Sequence, residues 1–184
     1  MRNELRRDFA RYAELKEDKK PWRAVCEGLL FDSGLQAVVL HRLAHAIRKA
    51  GVPFLGPLIG RFSQVFTGVE IAPGTQIGPG LLISHGNGIV IGQWSRLGRD
   101  CTLMHQVNLG APSLGRRKTM PVVGDRVFIG AGARLIGGIT VGDDVFIGVN
   151  AIIAEDIPSG CKVVSGAGIK ILPPRDTPTS DATS

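Results

Sequence analysis

One pattern constrains this chain more than any other: between residues 71 and 153 an aliphatic side chain recurs every six positions. The series runs Ile71, Ile77, Ile83, Ile89, slips by two to Ile91, Leu97, Leu103 and Leu109, then resumes after an interruption as Val123, Ile129, Leu135, Val141, Ile147 and Ile153. All fourteen are Ile, Leu or Val, types that make up about 27% of the 184 residues, so chance gives such a run a probability on the order of 10⁻⁸. Eight of the fourteen are followed directly by Gly. A period of six fits neither the ~3.6 of an α-helix nor the ~2 of an amphipathic strand. It fits short flat strands joined by tight corners, each strand sending one aliphatic side chain inward and each corner needing a residue that tolerates positive φ. Three such faces close a triangular coil of about 18 residues, and coils stack at the ~4.8 Å strand spacing. Fourteen hexads make between four and five coils.

The glycines sit where such corners would be. Twenty of the 25 lie between Gly68 and Gly168, a window holding three of the ten aromatic residues, Trp94, Phe128 and Phe146. The chain therefore divides into a helical N-terminal region (1–68), a coil region (69–171) and a Pro/Ser/Thr-rich tail (172–184) expected to lack fixed structure. In the first part Leu35, Val39, Leu43 and Ile47 recur at spacing four within GLQAVVLHRLAHAIRKAG, with basic residues near the end and Gly51 as a stop. A charged helix over about 3–19, a shorter one near 22–31 and another from Pro57 to Gly68 are expected around it. The interruption APSLGRRKTMPV has no inward aliphatics at the hexad spacing and is predicted to leave the coil as an external loop at about 111–122, carrying Arg116, Arg117 and Lys118.

Charge and cysteine usage narrow the function classes. The net charge is +6, and 11 Lys/Arg against 7 Asp/Glu place +4 of it in the first 50 residues. A basic helical face can attract an anionic ligand or give weak peripheral membrane association, but stacking aromatics are scarce and no nucleic-acid-binding module is visible. No apolar run reaches the ~18 residues of a membrane span and the charged N-terminus is unlike a secretory signal, so a cytoplasmic protein is expected. Cys26, Cys101 and Cys161 are too widely spaced for a Cys-x-x-Cys zinc site and read as buried small hydrophobes. His41 and His45 are four apart on a helix, but no metalloprotease Glu stands between them and no metal is expected.

The repeats resemble the hexapeptide acyltransferases, which fold as left-handed parallel β-helices. Within them the chain is similar to the serine acetyltransferases and the related small acetyltransferases of surface-polysaccharide pathways. The resemblance covers about residues 29–171 and is carried by GLQAVVLHRLAHAIRKAG, TGVEIAPG, SHGNGIVIG, VNLG, VFIGAGARLIGGITVGDDVFIG and GAGIK. The hexads fix the fold alone; the SHGNGIVIG box and the helical lead-in are more specific. What the resemblance implies is a mainly β protein with an α-helical lead-in, transferring acetyl from acetyl-CoA to a hydroxyl.

A hydroxyl is a poor nucleophile at pH 7, and a positioned base contributes roughly 10²–10⁴-fold. By resemblance His85 of SHGNG is that base, and Glu70, fifteen residues earlier in GVEIAPG, is the acid that orients it, the logic of a serine-protease His/Asp pair with the substrate supplying the hydroxyl. His105 in LMHQVNLG is an acceptor-site candidate or an alternative base. The CoA arm is expected along small residues at Gly130, Ala131, Gly132 and Ala133, with Lys162 and Lys170 as phosphate contacts. The resemblance also implies a homotrimer with active sites between subunits, the loop reaching over the site.

Three places depart from the serine-acetyltransferase pattern. Thr119 and Met120 stand where the family carries Arg-His before the Pro, Ser84 replaces the acid before the His, and the Arg-Asp-Pro box has become EDKKPWR, leaving Asp18 as the nearest match. An amino-acid substrate needs partners for a carboxylate and an ammonium, whereas a sugar hydroxyl needs neither. The expected acceptor is therefore a sugar of a surface polysaccharide or its precursor, with L-serine as the alternative. A hexapeptide scaffold without catalysis is a further alternative. A zinc carbonic anhydrase on the same prism would need three His ligands, and the prism offers His85 and His105.

Overall fold

The computed structural model describes residues 1–17, 20–116, 118–165 and 169–172. Four helices, α1 (Arg2–Lys16), α2 (Pro21–Phe31), α3 (Ser33–Lys49) and α4 (Leu55–Thr67), precede a stack of five triangular coils. Asp18 and the tail from 173 onward lie outside the described residues.

Each coil contributes one short parallel strand to each of three sheets, here called faces A, B and C. Face A carries the strands of Ile71, Ile91, Leu109, Leu135 and Ile153; face B those of Ile77, Leu97, Val123 and Val141; face C those of Ile83, Leu103, Ile129, Ile147 and Val163. A bridge from Val141 to Ile157 completes face B, and an antiparallel strand, Ile169–Leu172, closes face C. All fourteen hexad aliphatics are at most 7% exposed. The expected count fell short of five because the last face-B residue, Ile157, comes four rather than six positions after Ile153. A second inward series lies two positions earlier and mixes aliphatic side chains such as Leu81, Val107 and Ile139 with small ones, Thr75, Ser95, Cys101, Ala133 and Ala151, the small ones each 0% exposed. Burial pushes the Cys101 thiol up to about 11, leaving it neutral. Cys161 is buried too, whereas Cys26 is exposed on α2, against expectation; α2 is short and only Ala24 and Gly28 of it are buried.

Corners turn through left-handed backbone, which falls to Gly80, Gly88, Gly132 and Gly160 and, at non-glycine positions, to His85, Trp94, Asp100, Gln106, Arg126, Asp144 and Asn150. Gly130 also has no room for a side chain, since a Cβ would sit 2.8 Å from the backbone of the coil above.

A stack of this kind has an open lower end, where the first coil lacks a partner strand. The helices close it through a buried ion pair. Arg42 of α3 donates Nε to Asp8 Oδ2 at 2.9 Å and Nη2 to Oδ1 at 3.1 Å, and it also reaches the carbonyls of Ile77 (2.6 Å) and Gly78 (2.7 Å). Asp8 of α1 in turn accepts the N–H groups of Gly80 (2.7 Å) and Leu81 (2.9 Å). Asp8 is 0% and Arg42 4% exposed, and both carboxylate oxygens and all three guanidinium nitrogens are hydrogen-bonded to each other or to the first coil. Arg11 adds bonds to the carbonyls of Gly80 (2.8 Å) and Cys101 (3.2 Å).

The four aliphatics at spacing four do not share one buried face of α3. Its buried residues are Gly34, Leu35, Ala37, Val38, His41, Arg42 and Ala44, while Leu43 is exposed. A spacing of four advances about 40° per step around a helix and drifts off any one face, and here the buried face is set by Arg42. The final helix begins at Leu55, two residues before the expected Pro57, which fits the first turn because its missing N–H would have no partner there.

Two outcomes are expected. Asp8→Ala leaves Arg42 charged and unpaired in the interior and lowers unfolding free energy by about 3–5 kcal/mol in urea denaturation. Burial, with the nearby Arg42 and His45 charges, pushes the His41 pKa from 6.5 down to about 3. The unfolded state therefore binds the extra proton, and stability present above pH 6.5 is lost as pH falls, by about 2 kcal/mol at pH 5. His41→Leu removes that part of the pH slope in the same measurement.

Candidate active site

The two-residue slip in the hexad series falls at the corner between faces C and A that carries His85. From Ile83 to Ile91 the chain takes eight positions, against six from Leu103 to Leu109 in the coil above. His85 follows strand Leu82–Ser84 in left-handed backbone (φ 56°) and is exposed. Ser84 pairs with Met104, so the same register sets His105 one coil above His85 and Ala131 above His105. The ordering is closed by hydrogen bonds from Gln106 N to Asn87 O (3.0 Å) and from Gly132 N to His105 O (3.0 Å).

Helix α3 completes the pocket. Gly34 lies against the strand of Ile83, and a Cβ there would meet the Ile83 carbonyl oxygen; a Cβ on Gly86 would sit 2.6 Å from Val69 Cγ2. That close approach brings Ser33, the first residue of α3, to a pocket of about 380 Å³ lined also by His85, Asn87, Gly88, His105 and Gln106. Asp32 caps the helix by accepting Leu35 N at 3.0 Å and also takes the Tyr12 hydroxyl at 3.1 Å. The Asp32 carboxylate thus offsets the positive end of the helix dipole beside the pocket.

His105 Nδ1 is buried without a hydrogen-bond partner among the described residues. An unmet buried polar group costs about 1–3 kcal/mol, so this nitrogen has a bond left to make. Glu70 begins face A below Val90 and so flanks the same corner as His85. No hydrogen bond joins the two within the described residues; Glu70 Oε2 accepts Gln64 Nε2 of α4 at 2.7 Å.

Gly130, Ala131, Gly132 and Ala133 form the corner above His105, leaving backbone and small side chains along the column. Lys162 lies further up face C, its ammonium 5.0 Å from the Phe146 ring, which stacks on Phe128. This strip suits a long uncharged arm ending in phosphates. Lys170 lies on the closing strand opposite Val164. The loop leaves face A after Gly110 and returns to face B at Val122, with a short 3₁₀ turn at Leu114–Arg116. Arg116 and Lys118 are exposed there, and Arg117 lies outside the described residues. Met120 and Thr119 fold back so that Cβ atoms on Gly92 and Gly138 would touch them. Within one chain the loop is thus at the corner between faces A and B, not at the His85 corner. Sequence reasoning missed Ser33, Asn87 and Gln106. Asn87 lay inside the quoted SHGNG box, but nothing local marks Ser33, which reaches the pocket through helix docking.

Comparison with known proteins decides the family. A family model described as bacterial transferase hexapeptide (six repeats) matches residues 120–155. The chain is 43% identical over 146 residues to a serine acetyltransferase of Helicobacter pylori, covering 79% of this chain and 85% of that protein. The chain belongs to the serine acetyltransferase family. It is an O-acetyltransferase with acetyl-CoA as co-substrate, folded as a left-handed β-helix behind a helical lead-in. Two solved relatives bear on the pocket. The Neisseria gonorrhoeae serine acetyltransferase in complex with serine superposes with a TM-score of 0.79 at 29% identity over 89% of this chain. The Brucella abortus enzyme in complex with coenzyme A does so with 0.82 at 25% identity over 91%. The chain spans 66% of the length of each of those two. No helix among the described residues is long and apolar enough to cross a membrane.

Proposed function

We propose that this protein is a serine O-acetyltransferase, moving acetyl from acetyl-CoA to the hydroxyl of L-serine with His85 as general base. The observation that carries the reading is 43% identity to a serine acetyltransferase across most of both chains. The sugar acceptor expected from Ser84, Thr119 and Met120 has no support among the relatives, which are serine acetyltransferases. Those departures then mean that the serine carboxylate and ammonium are met differently. The α3 N-terminus at Ser33 offers donors suited to a carboxylate, and the amides of Asn87 and Gln106 can bond either group.

In this reading His85 takes the hydroxyl proton as the new O–C bond forms and the thioester C–S bond breaks. The imidazolium then returns that proton to the departing sulfur, so CoA leaves as the thiol. Glu70, freed from Gln64, orients His85 and steadies its charge, and His105, which lines the same pocket, contacts the acceptor. The strip at Gly130, Ala131, Gly132 and Ala133 holds the pantetheine arm by backbone groups, with Lys162 and Lys170 toward the phosphates. Acetyl-CoA as co-substrate fits a place in the cytoplasm.

The assembly in this reading is a homotrimer. Helix α4 buries Gly56, Ser63 and Thr67 and turns its large apolar residues outward: Leu58 is 64%, Phe62 56%, Val65 73% and Phe66 62% exposed. Face A adds Val90 and Ile152 on its outward side, with Asn108 and Arg134 between them in register. An apolar helix face of this length on a lone chain calls for a partner. A threefold arrangement would also bring the loop with Arg116 and Lys118 from the A/B corner of one subunit toward the His85 corner of the next.

Thiol release from acetyl-CoA is expected with L-serine and not with a panel of nucleotide-linked sugars, and His85→Ala is expected to lower it at least about a hundredfold with the fold intact. Turnover with a sugar alone would restore the polysaccharide reading, and near-normal H85A activity would move the base to His105. Sedimentation is expected to give three times the 19.6 kDa chain mass; a stable, active monomer would overturn the trimer.

A further inference from the structure

A second cavity, of about 750 Å³, lies between the C-terminal end of α3 and face B. It shares no lining residue with the His85 pocket, and face B is the side of the triangle opposite the corner between faces C and A. Its charge is one-sided. Arg48 and Lys49 enter from α3, His45 from one turn earlier, and Arg96 from the outward side of face B; the acid lining it, Glu4, is already held by the Met1 amino group at 2.7 Å.

Those cations stand apart from the other coil arginines. Arg99 pairs with Asp125 at 2.7 Å, Arg126 with Asp144 at 2.7 Å, and Arg134 bonds the Gly132 carbonyl. Arg48, Lys49 and Arg96 form no ion pair among the described residues. The dipole of α3 accounts for basic residues in its last turn, but not for Arg96, which comes from the prism and raises the repulsion. His45 is also oriented: a carbonyl can only accept, so Nδ1 carries the proton in its 3.0 Å contact with Pro73 O, and Nε2 is left free to bond.

The second observation is aromatic. Trp94 lines the same cavity from a corner held in left-handed backbone (φ 71°), and the residue is 43% exposed. No ring or cation stacks on it among the described residues. Arginines shaped for phosphate beside an open indole face combine charge recognition with ring stacking.

We propose that this groove is a separate binding site for a ring-bearing phosphorylated ligand of the nucleoside diphosphate class, its phosphates on Arg48, Lys49 and Arg96 and its ring on Trp94. Within one chain the site shares no lining residue with the acceptor pocket at His85. The test uses the full chain with Trp22→Phe, so that fluorescence reports Trp94, titrated with UDP, uridine and inorganic pyrophosphate. UDP is expected to quench Trp94 saturably, with uridine and pyrophosphate each binding at least about tenfold more weakly. Arg48→Ala combined with Arg96→Ala, both exposed positions, is expected to weaken UDP at least about tenfold while circular dichroism and acetyl transfer stay unchanged. Absence of saturable quenching, or unchanged UDP affinity in the double variant, would overturn the site. Pyrophosphate binding as tightly as UDP would overturn the role of the ring, and parallel loss of acetyl transfer would overturn its separateness.

Discussion

The open end of a β-helix is a row of backbone donors and acceptors with no strand to meet them, and in this protein a buried Asp8–Arg42 pair answers for it. Carboxylate and guanidinium satisfy each other and reach four backbone groups between Ile77 and Leu81. Burying two charges needs good geometry and further hydrogen bonds, and here every carboxylate oxygen and guanidinium nitrogen has a partner. The consequence reaches the chemistry. Arg42 sets which face of α3 is buried, Gly34 then lets that helix approach the strand of Ile83, and Ser33 arrives at the His85 pocket.

The coil supplies the other half of the site by repetition. Because the coils pair in register, a residue placed at one corner is stacked under its counterpart in the next, so His85, His105 and Ala131 form a column without any long-range contact having to be specified separately. The column changes character as it rises, from imidazoles to Gly and Ala, as a reaction centre followed by a channel for a long arm requires. The left-handed corners that make this possible also explain why polar residues such as His85, Asp100 and Asn150 can occupy them beside the glycines.

The outward surfaces are less uniform than the core. Helix α4 presents its large apolar side chains away from α3, face A carries Val90 and Ile152 outward, and face B with the end of α3 gathers unpaired cations around Trp94. In a prism these belong to different sides. The basic loop and the His85 column are likewise on different corners of one chain, so a site using both needs more than one copy.

Much was legible in the sequence because the hexad period is a local rule repeated many times: it gave the prism, its inward residues and the external loop, while His85 came from the resemblance in SHGNG. The resemblance in SHGNGIVIG and the helical lead-in pointed to acetyl transfer. Spacing did not mark the buried face of α3, since a step of four drifts around a helix and the face was chosen by a charge paired with Asp8, 34 residues away. Motif departures at Ser84, Thr119 and Met120 suggested a sugar, because a missing side chain in sequence does not reveal what replaces it in space. The chain by itself determined the repeated core, where each residue needs only its neighbours one coil away. Only the tertiary structure decided the lining of the pockets, because Ser33 meets His85, and Arg48 meets Arg96, through docking of helices on the prism rather than through any spacing along the chain.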